Sequence, residues 1–139
     1  MSISTEAQKT PAWMYWTGWA ITVLLALMLT FSATMKFFYP TMMDEQWVGK
    51  FGYPKDLALI IGIVEISCLI VFLIPRTATL GAVLLTGYLG GAIATHVRVH
   101  DNFIPPVIGG ILVWLALYLR DPRVRALLPL RQPMTPGKS

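Results

Sequence analysis

The chain has 139 residues, 55 % of them hydrophobic and only 13 % charged, with a formal net charge of +4. Soluble domains carry about a quarter of their residues as Asp, Glu, Lys or Arg, so this composition argues against a water-soluble fold. A single cysteine excludes an internal disulfide and a CxxC redox pair, and no Gly-rich phosphate loop, GxSxG or HExxH motif is present.

Residues 1–12 form a polar N-terminal segment holding Glu6 and Lys9. The apolar run that follows, 16–35, is longer than the ~7–15 residues of a signal peptide and is expected to stay as a first membrane-spanning helix. Trp13, Trp16 and Trp19 sit at its entry and Tyr39, Trp47 and Tyr53 beyond its exit, where aromatics form an interfacial belt. In the connection 37–56, Thr41 and Asp44 resemble a capping box, and Met43, Trp47 and Phe51 share a helical face. The pattern predicts a short amphipathic helix on the membrane surface.

Three further apolar runs, 57–74, 77–95 and 103–119, each approach the roughly 20 residues that cross a hydrocarbon core about 30 Å thick. Glu65 is the one charge in any of the four runs. The second and third are joined by little more than Pro75-Arg76, which demands a tight antiparallel hairpin. After the fourth, Asp121 and Pro122 are placed to start another interfacial helix over 120–131, whose Arg120, Arg123, Arg125 and Arg131 suit anionic lipid head groups. A basic, Pro-containing tail, 126–139, closes the chain. The expected fold is all-α: a single domain over 13–125, an up-down-up-down bundle of four transmembrane helices with short interfacial helices. Lys and Arg counts are seven on the side of the termini (Lys9, Arg76, Arg120, Arg123, Arg125, Arg131, Lys138) against four opposite (Lys36, Lys50, Lys55, Arg98), which places both termini in the cytoplasm.

An ionisable residue about 12 Å into a span faces the bundle and has a partner. Around Glu65 the spacing suggests Ser32 and Lys36 from the first span, Thr86 and Tyr88 from the third, and Thr95, His96 and Arg98 at its end, together a polar pocket for a ligand. Snorkelling to the head groups is the plainer reading for Lys36 and for Arg98 taken alone. His96 and His100 are spaced i, i+4, with Asp101 as a third group, but a weak basis for a metal site. Gly87 and Gly91 form a GxxxG that, with Gly62, Gly81 and Gly90, lets helix backbones approach closely; a homo-oligomer seam and a flat ligand slot are its alternatives. Nucleic acid is not an expected partner, because the bilayer accounts for the basic charge.

The segments FSATMKFF (31–38), FGYP (51–54), IGIVEI (61–66), IPRTATLGAVLL (74–85), GGAIATHVR (90–98) and YLRDP (118–122) together resemble the DoxX-like membrane proteins over residues 30–125. The resemblance implies a four-helix bundle in a prokaryotic cytoplasmic membrane, and it singles out Lys36, Glu65, Pro75, Arg76, Gly81, Ala92, His96 and Arg98. DoxX itself is named for a small subunit associated with thiosulfate:quinone oxidoreduction, so the resemblance implies a quinone- or lipid-class ligand in support of a membrane redox complex. It implies no agreed reaction; other relatives act as assembly factors, and this chain carries no redox-cofactor ligands of its own. An accessory protein without chemistry and a proton path through Glu65 are the alternative readings.

Overall fold

Pro11 lacks a backbone donor and fixes its own φ, and α1 (Ala12–Phe38) starts immediately after it. A computed structural model describes residues 9–128; the expected Arg131 contact and the tail from 129 onward lie outside them. α1 has 27 residues, about 40 Å at 1.5 Å each, and therefore exceeds the expected span at both ends. The other long helices are α3 (Lys55–Leu73), α4 (Ala78–Arg98) and α5 (Ile104–Arg120). The short elements are α2 (Pro40–Met43), a widened helical turn over Asp44–Lys50, and α6 (Pro122–Leu127). All described elements are helical.

α1, α3 and α4 are long and apolar enough to cross a membrane; α5, equally apolar, has 17 residues. Their outward faces agree with this: Trp16, Leu27, Phe31, Ile63, Leu80 and Ile111 are each more than half exposed. Water would not tolerate so continuous an apolar surface, whereas lipid tails match it. The chain is a multi-pass membrane protein.

Each long helix packs on two others: α1 on α3 and α5, and α4 on α3 and α5. Two backbone approaches pin the end of the molecule that holds the termini. A Cβ on Gly81 of α4 would lie 2.3 Å from the Phe72 backbone of α3, and one on Gly18 of α1 would lie 2.9 Å from the Ala116 carbonyl oxygen of α5. Gly18 carried no signal in the sequence, because it stands alone rather than in a GxxxG. The core beside these crossings is filled by Leu25, Phe72, Leu85, Val113 and Leu117, all buried.

Arg120 and Arg125, expected at the lipid head groups, turn inward instead. Arg120 is 8 % exposed, sits over the rings of Trp19 (4.6 Å) and Phe72 (4.9 Å), and donates to the Phe72 carbonyl at 3.1 Å. Arg125 donates to the carbonyls of Tyr118 and Leu119 and to the Thr10 hydroxyl. The reason is common to both. The last carbonyls of a helix have no partner within it, and a guanidinium satisfies them while complementing the negative end of the helix dipole. Arg123 alone of the three stays outward, paired with Asp121, whose side chain also caps α6 by accepting from the Arg123 backbone N–H at 2.9 Å.

The connection after α1 also departs from expectation. Thr41 lies inside α2 and Asp44 pairs with Lys55 at 2.6 Å, so no capping box forms. Trp47 and Phe51 do not form an outward apolar face; both are buried with Ala58 of α3, flanked by Met43, Tyr53, Ile61 and Val99. Backbone bonds to residues five and six back, Phe51 N–H to Gln46 O and Tyr53 N–H to Trp47 O, widen the turn and let it fold over the helix ends. Gly52 then takes φ +68°, a left-handed conformation open to glycine at no steric cost, and the chain reverses into α3. Of the expected aromatic belt, Trp13, Trp16 and Tyr39 face outward, whereas Trp19, Trp47 and Tyr53 pack inward.

Candidate functional site

At the end of the helices opposite the two glycine crossings lies a cavity of about 690 Å³. α1, α3, α4, α5 and the widened turn all contribute to its wall. Its lining is mainly apolar, with Leu29, Trp47, Phe51, Ile61 and Leu89 among the wall residues.

At its deep side stands Glu65, 1 % exposed. α3 begins at Lys55, so Glu65 is ten residues along it, about 15 Å from its start. Lys36, in the last turn of α1, turns its side chain inward along its own helix, and its Nζ lies 2.8 Å from Glu65 Oε2. The ammonium also donates to the Ser32 hydroxyl at 2.7 Å and the Ser32 carbonyl at 3.3 Å, and Ser32 Oγ lies 3.4 Å from the same Oε2. A buried carboxylate needs such partners, since an isolated charge in hydrocarbon is strongly unfavourable. Gly62, one turn before Glu65, makes room: a Cβ there would meet the Phe37 ring at 3.1 Å and Lys36 Cβ at 3.5 Å.

Tyr88 lines the cavity with its hydroxyl beside the Glu65 carboxylate. Thr95 and His96 line it nearer the helix ends. Thr95 bonds the Gly91 carbonyl at 3.0 Å and the Tyr53 hydroxyl at 3.1 Å. His96 Nδ1 is 2.8 Å from the Ala92 carbonyl, its ring meets Phe51 edge-on at 5.3 Å, and its Nε2 is 3.8 Å from Asp101 Oδ2. Gly87 and Gly91 form part of the wall, and a Cβ on either would meet nothing within 4 Å. Neither brings two helices of this chain together.

Two of the expected residues stand elsewhere. Thr86 faces away, accepting from Trp114 Nε1–H at 2.9 Å beside a shallow groove that also includes Gly90. Arg98 donates to the Phe51 carbonyl and lies over the Tyr53 ring at 5.1 Å, tying the widened turn to α4. It therefore shapes the cavity mouth without lining it.

His96 and His100 do not share a helical face. α4 ends at Arg98, and His100 has φ +56°. The Asp101 N–H bonds to His96 O and the His100 N–H to Val97 O, the pair of bonds that closes a Schellman motif, with histidine in the place glycine usually takes. Asp101 is instead bound to Lys50 at 2.8 Å, and this hydrogen bond, helped by the Asn102 N–H, holds its carboxyl below the usual carboxylate range. Among the described residues no cluster of three His, Cys, Asp or Glu is arranged to hold a metal.

Sequence reasoning missed Trp47, Phe51 and Gln46 as cavity residues. Their only signal was an aromatic row in a connection too long for a simple turn, and that row fits a lipid surface equally well.

A family model described as the DoxX-like family matches residues 20–119, which include Lys36, Glu65 and His96. No curated protein and no solved structure matches the chain.

Proposed function

We propose, for a chain that belongs to the DoxX-like family, that the four long helices form an up-down-up-down bundle in the membrane, with both termini cytoplasmic, around a binding site for one small apolar molecule. The ligand is of the quinone or lipid class, and a membrane redox partner supplies any electron-carrying group. The observation that carries this reading is a buried ion pair, Lys36–Glu65, at the deep side of a largely apolar cavity. Its volume falls within the roughly 300–1,000 Å³ of small-molecule sites, and its few convergent polar groups suit recognition of one polar end. Charges at this depth reduce stability relative to an apolar core and are characteristic of function.

The test is mass spectrometry of small molecules that co-purify with the full chain from membranes. A retained apolar compound is expected with the wild type and is expected to fall at least tenfold with Gly91→Leu, which fills open space in the cavity wall. Equal retention by both proteins sinks the reading.

A second reading, an accessory protein that binds another membrane protein or a second copy, draws on the exposed Gly90, which has nothing within 4 Å and lies outside the cavity. Gly90→Leu separates the two: it should abolish partner capture under this reading and leave ligand retention intact under the first. A proton path is less favoured, since Glu65 is already paired with Lys36 and is the one acid near the middle of a span.

A further inference from the structure

The cavity wall is polar on one side and apolar on another. Ser32, Lys36, Glu65, Tyr88 and His96 come from α1, α3 and α4, whereas α5 contributes only Pro105, Pro106 and Gly109. α1 adds an apolar stripe of its own: Met28, Phe31 and Met35, spaced i, i+3, i+7 on one helical face. Phe31 is 63 % exposed and Met28 47 %, and Pro105 is exposed as well. Phe31 and Met28 lie about 6 and 10 Å inside the end of the apolar run 16–35, at a depth where the surroundings are lipid tails rather than water. A side chain that lines the cavity and is also this exposed stands at an opening. The end toward the aqueous side is covered instead. Trp47 and Phe51 are buried there, and the segment 44–53 is tied down by Arg98 on the Phe51 carbonyl, by the Tyr53 hydroxyl at 3.1 Å from Thr95 Oγ1, and by Lys50 at 2.8 Å from Asp101.

We infer that the cavity opens sideways into the bilayer between α1 and α5, and that its ligand is a long-tailed amphiphile whose polar end lies at the Lys36–Glu65 pair while its hydrocarbon tail runs out past Met28, Phe31 and Pro105 into lipid. This rests on the ligand-site reading above and adds the shape of the molecule and its route. α1 packs against α5, so the two apolar sets border the same gap. A polar head away from water needs partners, and the cavity offers them on the side of Ser32, Lys36 and Glu65. A hydrocarbon tail needs none, and leaving it in the bilayer avoids the entropic cost of ordering it inside the protein. Met28 and Met35 are unbranched and flexible, so they adapt to a chain sliding between them. The other exposed wall residues, Gln46 of the turn and Gly87 and Gly91 of α4, mark two rival routes that the experiment separates.

The experiment is photo-crosslinking of the purified full chain in lipid nanodiscs. The probes are an octadecylbenzoquinone and octadecanol, each prepared with a diazirine either beside the head or at the chain end. Labelled residues are mapped by mass spectrometry, and label counts as specific when excess parent compound lowers it at least fivefold. With at least one compound, the head-side diazirine is expected to label residues around Lys36 and Glu65, and the chain-end diazirine residues 28–31 of α1 and 104–106 of α5. The compound that does so tells whether the head is a ring or an aliphatic alcohol. Specific chain-end label anywhere else, such as on 44–53, on 87–91 or only around Lys36 and Glu65, overturns the lateral route while leaving a ligand site in place. No specific label from any probe overturns both this inference and the site itself.

Discussion

The backbone of Gly81 in α4 lies against that of Phe72 in α3 so closely that a Cβ on the glycine would stand 2.3 Å from the phenylalanine Cα and N. Backbone cannot rotate aside as a side chain can, so the helices must part to admit even a methyl group. Gly81→Ala should destabilise the protein by about 3 kcal/mol or more, at the upper end of overpacking effects. Gly87→Ala and Gly91→Ala, with open space around them, should stay within about 1 kcal/mol of wild type. Thermal unfolding of the three variants in one detergent checks the contrast.

Lys36 and Glu65 are each other's counter-charge in a buried site. Lys36→Met leaves a buried carboxylate unpaired, and Glu65→Leu leaves a buried ammonium. Each single change should cost about 3–5 kcal/mol, the range for breaking a buried pair from one side. The double variant should recover most of that loss, because an apolar replacement of both removes the desolvation penalty together with the attraction. Unfolding midpoints of the four proteins form the double-mutant cycle; independent, additive losses would contradict the pairing.

Arg120 lies between the rings of Trp19 and Phe72 and donates to the Phe72 carbonyl, so one planar group joins α1, α3 and α5. Arg120→Lys keeps the charge but loses the planar stacking and the forked donors. A loss of about 1–2 kcal/mol is expected, read from the unfolding midpoint in detergent. Wild-type stability in this variant would mean that the guanidinium plane contributes nothing.

His100 closes α4 at φ +56°, where any residue with a Cβ is strained. His100→Gly should therefore stabilise the protein by about 1 kcal/mol. The readout is the unfolding midpoint, with ligand retention unchanged, since His100 does not line the cavity.

Asp101 has its carboxyl pKa lowered by the hydrogen bond from Lys50 and, to a lesser degree, by the Asn102 N–H. A carboxyl whose folded value lies below its unfolded one contributes stability that is present above the unfolded value, near pH 4, and is lost as pH falls through the lowered folded value. Acid unfolding of wild type should show this loss below about pH 4, and Asp101→Asn should show a shallower acid limb. Identical pH profiles for the two proteins would rule out the linkage.

Hydropathy alone located the long helices, because a hydrocarbon layer about 30 Å thick demands apolar runs of fixed length whatever the packing. The expected 57–74 and 103–119 differ from Lys55–Leu73 and Ile104–Arg120 by one or two residues at each end. Glu65 was equally visible, since one charge inside such a run has few explanations. What residue order could not give was the rotation of each helix about its axis. In water a polar face would reveal it, but here the lipid-facing and core-facing sides are alike apolar, and Leu27 and Leu25 read the same although one is exposed and the other buried. Hence packing alone decided that Gly18 and Gly81, not Gly87 and Gly91, join the helices, and that Arg120 and Arg125 answer helix-end carbonyls rather than lipid. It also decided that Trp47 and Phe51 turn inward and wall a cavity. The hydrogen bonds that join Ser32, Lys36 and Glu65 depend on those rotations, and they exist only once α1 and α3 have met.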